Sequence, residues 1–330
     1  MIDSQFQVSL LDRSRTRAGE PGARALAGTV ARAVSAERLG YGRFWVAEHH
    51  GVPGIAGSAP AVLLAAVAGA TATIRIGSAG VMLPHHQPLV VAEQFATLSA
   101  FAPGRVDLGL GRSPGFTPPV RRALRQAERD FAADLEELRG FLDGTSEVGL
   151  HPRPHGEVPM YVLATGSGLE IAAALGLPVI VGGPLLHDPL LHDGKGALDR
   201  YRREFRPSPR QAEPWVAVSL DVLVADTAAE AADLLLPEAW AMAQSRTTGV
   251  FPPLEPVAVA KAADRTPRQR QYLEQTVAAA IAGTAGQVES RLGELFDRTG
   301  AAELVAAGST YDRDALAASD AALAALFQSA

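Results

Sequence analysis

Glu48, His49 and His50 stand in a row at the end of an apolar run, Phe44 to Ala47, and Gly51 follows at once. A second pair, His85 and His86, closes another apolar stretch in "GVMLPHH". Four of the eight histidines therefore lie in two adjacent pairs at the ends of β-type runs. An imidazole titrates near neutrality and works as a general acid or base, or as a metal ligand. A single histidine at a strand end is ordinarily a surface or core residue, but two pairs on neighbouring strands point to chemistry. A metal needs several ligands converging on one point. Neighbours on an extended chain face opposite ways, so His49 and His50 do not both reach inward. The sequence has no His-x-His triplet either, so the pattern favours proton transfer and predicts no metal.

Three further stretches carry residues with chemical potential. "TGSGL" puts Thr165, Gly166, Ser167, Gly168 and Leu169 between a strand and a helix. Small residues and free amides at a helix start bind phosphate, although the same letters also make a plain capped turn. It is not a nucleophile elbow, because the Gly-x-Ser-x-Gly spacing is absent. "LGLGRSPG" (108–115) lacks the third glycine of a dinucleotide fingerprint, with Pro114 in its place. It does end a strand with Arg112, which either grips a phosphate in two-point fashion or is a surface arginine. "GSAG" (77–80) interrupts a strand rich in Ile, Val and Met. Glycine inside a strand marks a bulge or the close approach of something flat, and a planar ring against Ala79–Gly80 is one such cause.

The elements that must position these residues alternate between β and α patterns. Strands are predicted at 6–11, 43–48, 74–83, 105–111, 160–164, 178–183, 215–225 and 302–308. Helices are predicted at 23–40, from Pro60 to about Thr71, from Pro88 to about 101, at 120–142, at 167–176, from about Ala228, and from Asp314 to about Phe327. The 120–142 helix is read from one apolar stripe, Val120, Leu124, Ala127, Phe131, Leu135, Leu138 and Leu142. Eight near-continuous apolar strands, each usually followed by a helix, fit an α/β protein built as one eightfold β/α (TIM) barrel over residues 1–330. In such a barrel catalytic groups sit at the C-terminal ends of strands, which is where both histidine pairs and Arg112 fall. Two segments break the rhythm: the turn-rich 145–158 and the Pro-rich, then charged, 246–271. The second is placed as an insertion capping the active face.

The chain has 330 residues, 47% of them hydrophobic, with a net charge of −6 and no cysteine. A thiolate nucleophile, a thiolate metal site and a disulfide framework are thereby excluded. The charge gives no footprint for nucleic acid or an anionic membrane surface. "MIDSQFQVSLLDRS" lacks a basic start followed by an apolar secretory core. No apolar run is long enough to span a bilayer, so a cytoplasmic protein is expected.

Taken in order and spacing, "RFWVAEHHG", the segment from "SAPAVLLAAV" through "GSAGVMLPHHQPLVVAEQFATL", and "PGRVDLGLGRSPG" resemble the bacterial-luciferase-like flavin-dependent monooxygenases. The resemblance is dense over 43–115 and resumes at 164–183 and 283–312. It is greatest to the short single-chain members common in actinobacteria, some of them from aromatic polyketide biosynthesis. The resemblance implies a TIM barrel and reduced FMN delivered by a separate flavin reductase. It also implies dioxygen as co-substrate and oxygenation of a small organic substrate through a flavin-4a-hydroperoxide. Within it His49 matches the catalytic histidine, with His50 its neighbour and Glu48 the acid before them, able to orient the imidazole. Ala79–Gly80 match the pair joined by a cis peptide bond under the isoalloxazine ring. Arg112 matches the phosphate-gripping arginine, and Thr165 to Leu169 the second phosphate segment. Luciferase itself has an acid at the Thr165 position, hydroxyls at those of Gly168 and Leu169, and a reactive cysteine where Gly111 stands. The 246–271 insertion matches luciferase in outline only, so light emission is not expected. A homodimer pairing through helices beside the early strands is implied. The same superfamily contains deazaflavin-dependent oxidoreductases, the alternative cofactor reading, and a non-catalytic flavin-binding protein is a third.

Overall fold

The computed structural model describes residues 6–125, 129–164, 166–187 and 196–328. The chain order is β1 (Gln7–Asp12), α1 (Gly22–Arg38), β2 (Arg43–Val46), α2 (Pro60–Ala70), β3 (Arg75–Met82), α3 (Pro88–Phe101), β4 (Val106–Gly111), α4 (Pro118–Ala123), α5 (Phe131–Asp143), β5 (Met160–Ala164) and α6 (Gly168–Leu175). It continues with β6 (Val179–Gly182), α7 (Ala197–Glu204), β7 (Val216–Leu220), β8 (Val222–Val224), α8 (Ala228–Thr248), α9 (Val257–Ala262), α10 (Pro267–Ala279), β9 (Ile281–Gly283), α11 (Ala285–Thr299), β10 (Glu303–Ala306) and α12 (Arg313–Gln328). β1 to β7 and β10 close into an eight-stranded parallel barrel, with β1 between β2 and β10. This is the α/β TIM barrel expected from the alternation.

Side-chain alternation divides the core. Leu11, Trp45, Ala47, Ala79, Tyr161, Ile180, Ala217 and Val305 fill the barrel interior. The other strand faces pack on the helices through Leu10, Phe44, Ile76, Leu108, Val162 and Leu304. Burying both faces is what makes the strands read as unbroken apolar runs. The N-terminal end of the barrel is closed by ion pairs: Arg75 bonds both oxygens of Asp107 at 2.8 and 2.6 Å, and Arg43 pairs with Glu303.

Three predicted elements differ. The helix expected over 120–142 is two helices. Arg125 has φ of 51°, and Asp130 accepts from the Ala132 and Ala133 amides to start α5 afresh. An N-cap aspartate outweighs a continuous stripe; Ala127 lies outside the described residues. The strand expected over 215–225 breaks at Asp221 into β7, in the barrel, and β8, which pairs with β9 in a separate two-stranded sheet. The 246–271 segment is largely helical, belonging to α8, α9 and α10. Its irregular part does reach the loop after β1: Leu254 bridges to Arg17, and Phe251 lies under Arg15, 4.3 Å from guanidinium to ring. No described helix is long and apolar enough to cross a membrane.

Candidate active site

β2 ends at Val46, so Ala47 to His50 continue as extended chain beyond the barrel rim. Residues two apart then share a side. Glu48 and His50 do so: Glu48 Oε1 lies 2.6 Å from His50 Nε2. The same oxygen is 2.8 Å from His86 Nε2, and Oε2 accepts the Met82 amide at 2.8 Å. Burial opposes ionisation of Glu48, but the bonds from His86, Met82 and His50 outweigh it and hold the carboxyl below the usual range. Glu48, His50 and His86 offer ligand atoms within 4.8 Å of one another, the only such group of three among the described residues. Their contacts are hydrogen bonds centred on one carboxylate. His85 turns elsewhere, its Nε2 3.1 Å from the Ser113 carbonyl oxygen.

His49 faces away from this hub. Its amide donates to Gly57 O at 2.8 Å, and its buried Nδ1 has no partner. The expectation that Glu48 orients His49 is corrected here, since the Glu48 carboxylate is taken up by His50, His86 and the Met82 amide. Burial first, then the nearby charges of Arg13 and Arg15, push the His49 pKa down to about 4. The imidazole is therefore neutral at pH 7, rather than poised near its midpoint.

The charges around His49 form a cluster that the sequence reading missed. Arg13, just past the end of β1, donates to Asp221 Oδ1 at 2.8 Å and to Ala307 O at 3.1 Å. Arg15 Nε donates to Glu238 Oε2 at 2.8 Å, and its Nη1 to Gly54 O. Glu238 is fully buried, with Oε1 3.4 Å from Arg13. Burial works against its charge, yet the two guanidiniums keep its pKa low. Asp221 is pushed up by burial, with Glu238 adding to the effect. Two of these residues do carry a sequence signal: Asp221 splits the apolar run "VSLDVLV", and Glu238 follows Pro237 inside the apolar "LLLPEAWAMA".

On the opposite side of the mouth, Arg112 at the end of β4 donates to Ser167 Oγ at 2.5 Å. Ser167 precedes α6 without capping it through its side chain, so its hydroxyl is turned to Arg112. Arg112, Gly166 and Ser167 are exposed, while Gly168 and Leu169 are buried. The Leu169 amide is already donated to Gly166 O at 3.0 Å, so it is not a free amide there. Thr165 lies outside the described residues. The structure thus brings two predicted phosphate-binding elements together as a cationic helix N-terminus, a favourable setting for a dianion.

Between these regions runs the bulge in β3. Ala79–Gly80 is a cis peptide, and the register with β4 shifts between Ser78 and Val81. A Cβ on Gly80 would stand 2.7 Å from Gly109 O and 2.8 Å from Gly109 C. A Cβ on Gly109 would run into Ser78 O. The two glycines let β3 and β4 approach where Ala79 faces the barrel interior.

An eight-stranded β/α barrel with two histidine pairs, a charge cluster and a helix-end arginine gathered at the C-terminal mouth is the class defined by this arrangement. More narrowly, the chain belongs to the luciferase-like monooxygenase family, whose model matches residues 4–307. It is 34% identical over 330 residues to a luciferase-like monooxygenase of Escherichia coli (strain K12), covering 96% of this chain and 95% of that protein. The crystal structure of apo-MsnO8 has a TM-score of 0.85 at 31% identity, covering 98% of each chain. More distantly, the fold is shared with the oxygenating constituent of 3,6-diketocamphane monooxygenase in complex with FMN (TM-score 0.69, 17% identity, 97% of each chain). It is shared as well with an F420-dependent secondary alcohol dehydrogenase in complex with an F420–acetone adduct (0.68, 17%, 98% of this chain and 99% of that one).

Proposed function

We propose that the protein is an FMN-dependent monooxygenase. It takes reduced FMN from a separate reductase and uses dioxygen to hydroxylate, epoxidise or Baeyer–Villiger oxidise a small organic substrate, as a cytoplasmic enzyme of secondary metabolism. The observation that carries the reading is the convergence of three features on one barrel mouth. These are Arg112 on Ser167 at the start of α6, the glycine-lined bulge at Ala79–Gly80, and a half-buried neutral imidazole whose buried Nδ1 has no partner. Arg112, Ser167 and Gly168 would hold the FMN phosphate, and Ala79–Gly80 the flat ring system. Bound reduced FMN supplies the electrons that activate dioxygen.

The chain's own part is positioning and proton handling. His49, neutral at working pH, takes up or returns one proton at its imidazole. The Arg13–Asp221 and Arg15–Glu238 pairs surround it with fixed charges in place of water. Glu48 ties His50 and His86 together, fixing the segment that carries His49 against β3. The exposed Phe116, edge to face with the buried Phe251 at 6.3 Å, gives apolar area for an organic substrate near Arg15. The homodimer reading is supported by α2, which has no charged residue, and by Val62, Val90 and Phe101 exposed on α2 and α3.

The test is anaerobic titration of the protein with photoreduced FMN and, separately, with reduced F420. FMN is expected to bind and F420 not. Arg112→Ala is expected to weaken FMN by tenfold or more, about the loss of one charge-assisted bond. Preference for F420, or an Arg112→Ala affinity equal to wild type, would overturn the assignment.

A further inference from the structure

A cavity of about 190 Å³ lies outside the barrel, between α1 and α12 and against the loop that follows β1. Arg15, Arg17, Arg32 and Arg313 line it, against only two acids, Asp12 and Asp320. Both acids are engaged by Arg32, which bonds the two oxygens of Asp320 at 2.8 Å and Asp12 Oδ2 at 3.2 Å. Arg15 and Arg313 pair with Glu238 and Glu20, neither of which lines the cavity.

Arg17 is left over. It is 5% exposed, yet its hydrogen bonds run only to carbonyls: Nε to Tyr311 O at 2.5 Å, Nη2 to Thr310 O at 2.8 Å and Nη1 to Arg15 O at 3.3 Å. No carboxylate among the described residues pairs with it. A guanidinium has five N–H groups, so two of its donors remain. Burial, and then the charge of Arg313, bring its pKa down to about 10 against the opposing charges of Asp12 and Glu20. Arg313 adds a buried Nε with no partner. The rest of the wall includes Leu316 and Ala317 of α12 and Ala25 of α1.

A buried charge is stable when it is paired. The cavity has the volume of about six waters, enough for more than a bare ion. We propose that it binds a small organic carboxylate, the carboxylate on Arg17 and the apolar body against Leu316 and Ala317. The site lies apart from Arg112 and shares only Arg15 with the charge cluster beside His49, so it is a second ligand site and does not depend on the flavin reading. Inorganic phosphate would satisfy the charge but leave the apolar wall unused.

The experiment is isothermal titration of the purified protein with benzoate, butyrate and inorganic phosphate. It is repeated for Arg17→Gln, for Ala317→Trp, which fills the cavity from an exposed rim position, and for Arg112→Ala. Saturable binding of a carboxylate is expected, weakened roughly ten- to hundredfold by Arg17→Gln. Ala317→Trp should abolish it and Arg112→Ala should leave it unchanged. The tryptophan variant keeps the guanidinium, so the test stands even where Arg17→Gln does not fold. Absence of carboxylate binding, or binding indifferent to both cavity variants, overturns the proposal. Phosphate binding that depends on Arg17 without any carboxylate binding overturns the ligand class.

Discussion

Replacing His49 by Gln tests the neutral imidazole directly. In the folded protein burial, then Arg13 and Arg15, hold its pKa at about 4. In the unfolded chain it returns to about 6.5. Between these values the unfolded chain binds a proton that the folded one refuses. The stability tied to His49 is therefore whole above pH 6.5 and is lost as the pH falls towards 4. At ~1.4 kcal/mol per pH unit the full difference from 6.5 to about 4 is about 3 kcal/mol. By pH 5, where the unfolded imidazole is nearly all protonated, about 2 kcal/mol is already gone. The assay is urea unfolding of wild type and His49→Gln between pH 8 and pH 5, without flavin. Titrations common to both proteins cancel in their difference. The expected result is that the wild type loses about 2 kcal/mol more than the variant over that range. Parallel curves would refute the reasoning, as would a His49 resonance titrating near pH 6.5 by NMR.

Gly80→Ala places a Cβ 2.7 Å from the Gly109 carbonyl oxygen, a backbone contact with no side chain to yield. It should lower stability by ~1–3 kcal/mol. Gly22→Ala, with open space around it, should stay within about 0.5 kcal/mol of wild type. Urea midpoints compare the two, and equal midpoints would mean the β3–β4 approach is slack. Glu48→Ala strips the shared acceptor from His50, His86 and the Met82 amide and should cost about 3 kcal/mol or more. Glu48→Gln, which keeps one acceptor oxygen, should recover part of that loss. Wild-type stability of Glu48→Ala would show that the hub contributes little.

The barrel was legible because its signal is local. Each strand is an apolar run bounded by a turn residue, and the run survives because both its faces are buried. The Glu48–His49–His50 element, the second histidine pair and Arg112 were legible for a related reason. Polar residues at the ends of such runs have few structural uses. What the letters could not carry was partnership across long separations. Glu48 binds His86, 38 residues on, and Arg13 binds Asp221, 208 residues on. Which of two adjacent histidines faces the buried charges is decided by extended backbone beyond Val46. Two local signals override the hydrophobic periodicity: Asp130 as an N-cap within a helical stripe, and Asp221 as the polar break in an apolar strand.

The two ends of the mouth differ in electrostatic character, and the difference supports the division of tasks proposed for them. At the start of α6, Arg112 is exposed and bonds only a hydroxyl among its described partners, so its charge is available to an incoming dianion. Around His49 two guanidiniums meet two carboxylates, and no comparable excess of charge is left. A net cationic floor would also keep an imidazole neutral, but it would draw the phosphate away from Arg112. A balanced floor leaves burial as the main reason that His49 is unprotonated, in agreement with the order of causes acting on its pKa. Under the proposed reading the anion would be held at one end and the proton handled at the other; removing Glu238, fully buried between Arg13 and Arg15, would leave two guanidiniums short of their shared counter-charge and so would weaken the fold together with that division.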